Sequence, residues 1–474
     1  MQTISLPPRH AVLTAVSPAA LPALLAAVLS ATLSAVLSLA SAPAAAQAGA
    51  ELAHKVAPGD TLERLAHRFM EQPRRYPEVA RLNGLRDQDA LSLGQVIRIP
   101  ARYLKMQSDT ATVMAVKGAV SAGGKPLAVG DKLNQNSAAT AAAGAAAEII
   151  TGADGQVTLK LADDSEIRLQ PNTRASIAVL KRNPASGARD IAFNLLQGRL
   201  ETDVTPGKGD NSKFSIVTPN VSLGIRGTSF RASAQDGSAS TEVLEGRVDA
   251  STRQAAVAVN KGFGTKANQG RPPAPPVPLL PAPGLEPLAR LAETESPELL
   301  FAAVAGARQY RGIVAEDDKF ERVTSEGVSA APALRSAALR DGNYFFRARA
   351  IDAQGLEGWN ANGSFRVKAN PRPPLVSESA PAGTFSGPDL AKLDLVFRWD
   401  AAAGAAGGYL LQLASDRDFT RDLAQFKPDT TRHTVALDAA PRRMVYWRVR
   451  SVDAAGEAGP AGAVQAFELG ARSN

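Results

Sequence analysis

At 474 residues and 45% apolar content the chain is long enough for several cores, while the absence of cysteine excludes disulfide scaffolds, thiolate metal sites and Cys nucleophiles. Only four histidines are present, too few to assemble a His-based triad or a multi-His metal site easily, and aromatics make up just 5%, which favours small β modules over a large enzyme core. The net charge of +7 and pI near 9.6 permit attraction to polyanions, but Lys and Arg are scattered and not interleaved with aromatics, which speaks against nucleic acid as a partner.

Arg9 and His10 precede an Ala/Leu-rich run, AVLTAVSPAALPALLAAVLSATLSAVLSLA, that exits through SAPAAAQAGA. A basic start, an apolar stretch and an A-x-A site predict a signal peptide over residues 1–48, cut after Ala48. The apolar run is roughly twice the usual 7–15 residues of such a signal and long enough to span a bilayer, so an uncleaved segment would serve as a membrane anchor. Pro18, Pro22 and the small-residue exit favour cleavage. Both outcomes put the remainder outside the cytoplasm, in the periplasm or cell envelope, with membrane contact only if the signal stays on.

The next stretch, HKVAPGDTLERLAHRF from His54, predicts a short strand, a glycine turn and a helix. Asp60 is the expected N-cap with Glu63 as its capping-box partner, and Leu62, Leu65, Ala66 and Phe69 form one apolar face. A second helix is expected from Pro77, closed by Asn83-Gly84, and LSLGQVIRIP predicts a closing strand. The order is β-α-α-β over residues 51–101. These residues, V-x-x-G-D-T-L at Val56 to Leu62, Leu65-Ala66, NGL at Asn83 to Leu85 and GQ-x-I-x-IP at Gly94 to Pro100, resemble the LysM domain. The segment MEQPRRYPE is a few residues longer than the commonest form. The resemblance implies a groove for peptidoglycan or other N-acetylglucosamine-containing glycans. It is lined by Gly59, Asp60, Thr61 and Leu62 on one side and by Asn83, Gly84, Leu85 and Arg86 on the other. Leu62 or Leu85 would supply an apolar floor; the competing expectation is that Asp60 only caps and Leu62 only packs. His54 and His67 are expected to be surface or packing residues.

From Met114 to Gly264 the pattern turns to alternation. QVTLKLADDSEIRL reads as a hairpin about ADDS, and FNLLQGRLETDV, KFSIVTPNVSLGIRGTSFRASA and STEVLEGRVDAS continue the pattern with glycines at the breaks. An all-β domain is expected over 114–264. TGADGQVTLKLADDSEIRLQPNT, LLQGRLETDV, VSLGIRGTSFRA and TEVLEGRVDAS resemble the FecR domain, which relays receptor status across the periplasm in iron-siderophore regulation. Only the short stretch to His10 precedes the apolar run, so the cytoplasmic segment of such regulators is not expected here. Arg226, in the Arg226-Gly227-Thr228 signature, could meet a partner; a buried or turn-bracing guanidinium is the favoured expectation.

RPPAPPVPLLPAPG, residues 271–284, predicts an extended spacer. Beyond it an internal repeat emerges: YRGIVAEDDKF (Tyr310 to Phe320) matches YLLQLASDRDF (Tyr409 to Phe419), and YFFRARAIDAQGLEG (Tyr344 to Gly358) matches VYWRVRSVDAAGEAG (Val445 to Gly459). The copies, 285–369 and 375–470, resemble fibronectin type III or related immunoglobulin-like sandwiches. Phe346, Trp399 and Trp447 are expected core aromatics, with sugar stacking as the alternative, and the R-x-R pairs Arg347/Arg349 and Arg448/Arg450 are assigned to a solvated sheet face.

The fold class is thus multidomain and mainly β. No HExxH, Gly-rich phosphate loop or GxSxG is present, and Asp163-Asp164 and Asp317-Asp318 fall in predicted turns. A glycan-cleaving enzyme, needing two carboxylates across a cleft, finds no positive support. The expected function is non-enzymatic: a peptidoglycan-binding envelope protein whose other modules meet envelope proteins, with no cofactor or metal. The alternative is a membrane-tethered FecR-like periplasmic sensor in envelope or iron-related signalling.

Overall fold

The computed structural model describes residues 50–88, 90–135, 148–205, 212–386, 392–438 and 441–469. The expected signal peptide over 1–48 lies outside them. Among the described residues no helix is long and apolar enough to cross a membrane. The architecture is multidomain and mainly β, with one small helical module at its start.

That module contains β1 (Glu51–Lys55), α1 (Leu62–Phe69), α2 (Tyr76–Leu82) and β2 (Val96–Pro100), with β1 and β2 antiparallel. Leu62, Leu65 and Ala66 of α1 face the core together with Val79, Ile97 and Ile99. The N-cap differs from expectation by one residue. Thr61 Oγ1 accepts from Arg64 N–H (3.2 Å), while the Asp60 carboxylate folds back to accept from Ala57 N–H (2.9 Å) and so closes the preceding turn. The prolines of the longer connection are accommodated by a 3₁₀ turn, Pro73–Arg75, running directly into α2 at Tyr76, so Pro77 sits in the first turn where its missing N–H costs nothing. The core continues past β2. Tyr103 and Leu104 are buried, Leu104 pairs with Met70, and Tyr103 Oη donates to Glu78 Oε2 (2.6 Å).

Strands between Gln107 and Pro278 close into a barrel around a core that includes Val113, Leu159, Phe193, Phe230, Val243 and Val248. The 15-residue strand Arg189–Asp203 joins its two halves. Its first part pairs with Arg174–Arg182 and, in parallel, with Lys213–Val217; its second part pairs with Glu166–Leu169 and Ser229–Gln235. Gly198 marks the change of partner. Its φ is +93°, and a Cβ there would lie 2.4 Å from Thr173 Oγ1, so only glycine lets the strand turn so close to its neighbour. The expected hairpin about ADDS forms between Gln156–Leu161 and Glu166–Leu169.

The proline-rich segment 271–284 is extended but is not a free spacer. Ala274 N–H donates to Lys266 O (2.9 Å), Val277–Pro278 pairs with the barrel strand Phe263–Asn268, and Leu279 N–H donates to Gly262 O (2.8 Å). Leu280 then packs against the next core and accepts from Trp359 N–H (2.9 Å). Prolines suit this position because an outermost strand has few backbone donors to lose.

Two β units follow. The first has a five-stranded sheet with Gly342–Ile351 between Gln309–Ala315 and Ala361–Val367, plus a two-stranded ribbon. The second has three- and four-stranded sheets with Tyr409–Ala414 beside Arg443–Ser451. The repeat is exact in its detail: Phe320 and Phe419 have φ of +59° and +58°, and Arg347 and Arg448 lie over their rings at 3.8 and 4.0 Å. Asp352 and Asp453 cap matching turns, and Phe346, Trp399 and Trp447 are core residues.

The R-x-R pairs are not on a solvated face. Arg349 is 1% exposed and donates to Glu201 of the barrel (2.6 Å), and Arg347 is nearly buried. Arg450, the counterpart of Arg349, reaches back to Glu293 of the first unit, joined there by Lys368–Asp453 (2.6 Å). Alternation predicted the correct face; what the pattern could not supply is that another module covers it.

Candidate functional site

Two turns of the helical module border the same core, Leu62 inside it and Leu85 packed at its edge. Gly59 is exposed with φ +84°, and its carbonyl accepts from Arg64 Nη1 (2.7 Å). Asp60 Oδ2 also lies 2.9 Å from His54 Nε2; this bond, then the one from Ala57, holds the carboxyl below its ordinary range. His54 packs 5.3 Å from the Phe69 ring, and His67 is exposed. Leu62 is 1% exposed and has no surface to offer a ligand, so it is corrected from groove floor to core. Asn83 is spent on structure: its Nδ2 donates to Val79 O and Arg98 O (both 2.8 Å), and Oδ1 accepts from Arg98 N–H (2.7 Å), tying the end of α2 to β2. Gly84 and Arg86 are exposed, and Leu85 is half-buried. Of the eight expected residues, Gly59, Thr61, Gly84, Leu85 and Arg86 present surface, whereas Asp60, Leu62 and Asn83 shape the turns that carry them.

A second constellation joins the barrel to the first C-terminal unit. Arg168, Glu201, Arg231 and Glu242 stand directly opposite one another on four adjacent strands, a ladder of alternating charge across the sheet. The covering sheet brings Arg311, Glu326, Arg347, Arg349 and Glu357. Glu357 is the hub, accepting from Arg311 Nε (2.6 Å), Arg349 Nη1 (2.8 Å) and Arg199 Nη1 (3.1 Å). Burial works to raise its pKa, but Arg311, Arg349 and Arg199 together hold it well below the usual carboxylate range. Glu242 goes the other way. Its nearest guanidinium, Arg231, is 3.8 Å away and turned to the backbone carbonyls of Glu357 and Gly358 (2.8 and 2.7 Å), so burial prevails and pushes the carboxyl up to about 7. The sequence contained a signal for this set, acids and bases at inward strand positions, but the register that aligns them was not readable.

Residues 54–100 match the family model described as LysM domain. Residues 147–249 match the one described as FecR protein. No curated protein matches the chain. Two solved structures of a provisionally assigned anti-sigma factor from Parabacteroides distasonis align at 14% and 15% identity, with TM-scores of 0.23 and 0.24. The alignment covers 28% of this chain and 59% of theirs, and a likeness of that size establishes neither a shared overall fold nor a shared role. LysM and FecR are both non-catalytic modules.

Within the FecR match the Arg226 signature forms the turn between Ser222–Ile225 and Ser229–Gln235. Gly227 has φ +56° and Thr228 is buried, while Arg226 itself is exposed, with no hydrogen bond or ion pair among the described residues. The expectation of a turn-bracing guanidinium is therefore corrected: the turn is braced by backbone geometry and by Thr228 against Gly246, leaving the Arg226 charge facing solvent. A concavity of about 720 Å³ lies at one end of the barrel and is lined by polar groups including Gln197, Asn220, Gln254 and Arg271.

Proposed function

We propose that the protein is a wall-attached envelope sensor. Its LysM module binds peptidoglycan or another N-acetylglucosamine-containing glycan, and its FecR-like barrel, together with the first C-terminal unit docked on it, receives and passes on a signal through envelope protein partners. The observation that carries this reading is the occurrence in one chain of a LysM match and a FecR match. It favours sensing over a passive scaffold, because FecR domains act in envelope signal relay. The two C-terminal units are proposed to be fibronectin type III-like repeats, on the strength of their matching turns and ring contacts. The glycan site is proposed at Gly59, Thr61, Gly84, Leu85 and Arg86, where backbone amides and an apolar edge suit acetamido groups, with Asp60, Leu62 and Asn83 holding the turns. The exposed Arg226 turn is the proposed partner contact.

Purified chain should sediment with protein-free peptidoglycan sacculi. Binding should persist above physiological salt and fall with soluble chitooligosaccharide, whereas simple attraction of a basic protein to an anionic wall would be lost in salt. Leu85→Asp should weaken it while circular dichroism stays unchanged. Salt-labile, sugar-insensitive sedimentation would remove the glycan site. For the relay, cross-linking in the native envelope should capture a protein partner that Arg226→Ala loses; a chain with no partner sensitive to that substitution would return the reading to a wall-bound scaffold.

A further inference from the structure

The buried charge ladder borders a cavity of about 320 Å³ between the barrel and the first C-terminal unit. We propose that this cavity binds a small oxyanion, a ligand presenting a phosphate, sulfate or carboxylate group to Arg168 and Arg231, with Lys319 and Arg347 at its entrance. The assignment is independent of the glycan and relay roles above.

Hydrogen-bonding capacity is the first observation. Arg168 Nε and Arg231 Nε and Nη1 are buried atoms without a hydrogen-bond partner among the described residues, and both residues line the cavity. The side chain of Arg231 is 5% exposed. Only its Nη2 is hydrogen-bonded, to the carbonyls of Glu357 and Gly358; Nη1 and Nε stand 3.6 and 3.8 Å from the Glu357 and Glu242 carboxylates, ion-paired but without a hydrogen-bond acceptor. Buried donors left without acceptors are costly, and charged ones most of all.

Charge is the second. Four cations, Arg168, Arg231, Lys319 and Arg347, line the cavity against three carboxylates, Glu166, Glu201 and Asp203. Glu201 is already engaged by Arg349 at 2.6 Å and stands 3.8 and 3.9 Å from Arg168 and Arg347, beyond hydrogen-bond reach of both. Burial, then the nearby Arg349, depresses Arg347 to about 10 and lowers Arg231 as well, so in both the charged form is disfavoured where it stands. Water can accept from the idle donors, but it leaves that charge uncompensated; an oxyanion meets both needs, and guanidinium forks match its geometry. The volume is at the lower end of small-molecule sites, roughly 300–1,000 Å³, which suits a small anion and not a glycan chain. Lys319 is exposed, which gives the ligand a way in.

The test is isothermal titration of the full-length chain at neutral pH and constant ionic strength with inorganic phosphate, sulfate and succinate, using chloride as the reference. Saturable binding of one anion per chain is expected. Arg168→Gln should weaken it about tenfold or more, the loss of one charge-assisted hydrogen bond. Lys319→Ala, at an exposed position that should not disturb folding, should weaken it severalfold, and Lys392→Ala in the second unit should not change it. Preference for phosphate or sulfate over succinate would point to a phosphate- or sulfate-bearing ligand, and the reverse to a carboxylate. Heats that match chloride, or an affinity that neither Arg168→Gln nor Lys319→Ala alters, would overturn the proposal and leave a cavity filled by water only.

Discussion

Glu357→Gln is the sharpest probe of how the barrel and first C-terminal unit are held together. The side chain is 10% exposed and accepts from three arginines on both sides of the junction, Arg199 from the barrel and Arg311 and Arg349 from its own unit. Glutamine has nearly the same shape but carries no charge, and its NH₂ must point at a guanidinium whichever way it turns. Removing one partner from a buried ion network costs about 3–5 kcal/mol, chiefly because the remaining charges stay buried and uncompensated. With a urea m-value near 2 kcal/mol per M, the transition that separates the two units should move down by about 2 M. Trp359 reports on it: the ring packs over Gly262 of the barrel, so its fluorescence should change as the units part. Glu245→Gln, which breaks an exposed pair with Lys261, serves as the control and should leave the curve in place. A shift below about 0.5 M for Glu357→Gln, or about 1 kcal/mol at that m-value, would refute the claim that this network carries the docking.

Further outcomes follow from the same geometry. Glu242 is held protonated by burial up to about 7, above its ordinary 4.5, so the native state binds that proton more tightly than the unfolded chain. Its stabilising contribution is complete below about 4.5 and is lost as pH rises through about 7, by at most about 3 kcal/mol; Glu242→Gln should flatten thermal stability between pH 5 and 8, and an unchanged slope would exclude Glu242 as the titrating group. Glu357 has the opposite sign, its stabilisation being present above the ordinary carboxylate range and lost as pH falls through its depressed value, so Glu357→Gln should blunt acid unfolding of the junction, as followed by Trp359 emission. Asn83→Ala removes three hydrogen bonds, two of them to exposed backbone that water can satisfy, and should destabilise the LysM module by about 1–2 kcal/mol in hydrogen exchange of α2 and β2. Arg226→Ala should change stability by less than about 0.5 kcal/mol, measured by urea unfolding, because the side chain touches nothing that folding needs.

Local pattern carried a large part of the fold. The 3.6-residue spacing of Leu62, Leu65 and Ala66 was enough to place α1, and strict alternation from Gln156 to Leu169 was enough to place a hairpin, because both periods are set by backbone geometry within a few residues. The repeat was legible to the level of individual turns for the same reason: Asp352 and Asp453 bond their own loops. The N-cap was misplaced by one residue because Asp60 and Thr61 can both cap, and the choice was made by His54, six residues away across the turn. Leu62 and Asn83 were assigned to a glycan surface because a motif records which residues recur, not which atoms remain exposed once the turn has closed.

The sequence by itself determined the modules, their order and the faces their strands would bury, since apolar spacing and turn chemistry act over short distances. Only the tertiary structure decided what those modules do to one another. Whether Arg349 meets solvent or Glu201 depends on a sheet 148 residues away in the chain settling over it, and no local preference encodes that meeting. The proline-rich segment reads as a spacer until Leu279 and Leu280 are seen bridging barrel and first unit. Strand register is the physical reason. It is fixed by contacts across the sheet, and it aligns Arg168, Glu201, Arg231 and Glu242 into one ladder whose charge an adjoining module must then balance.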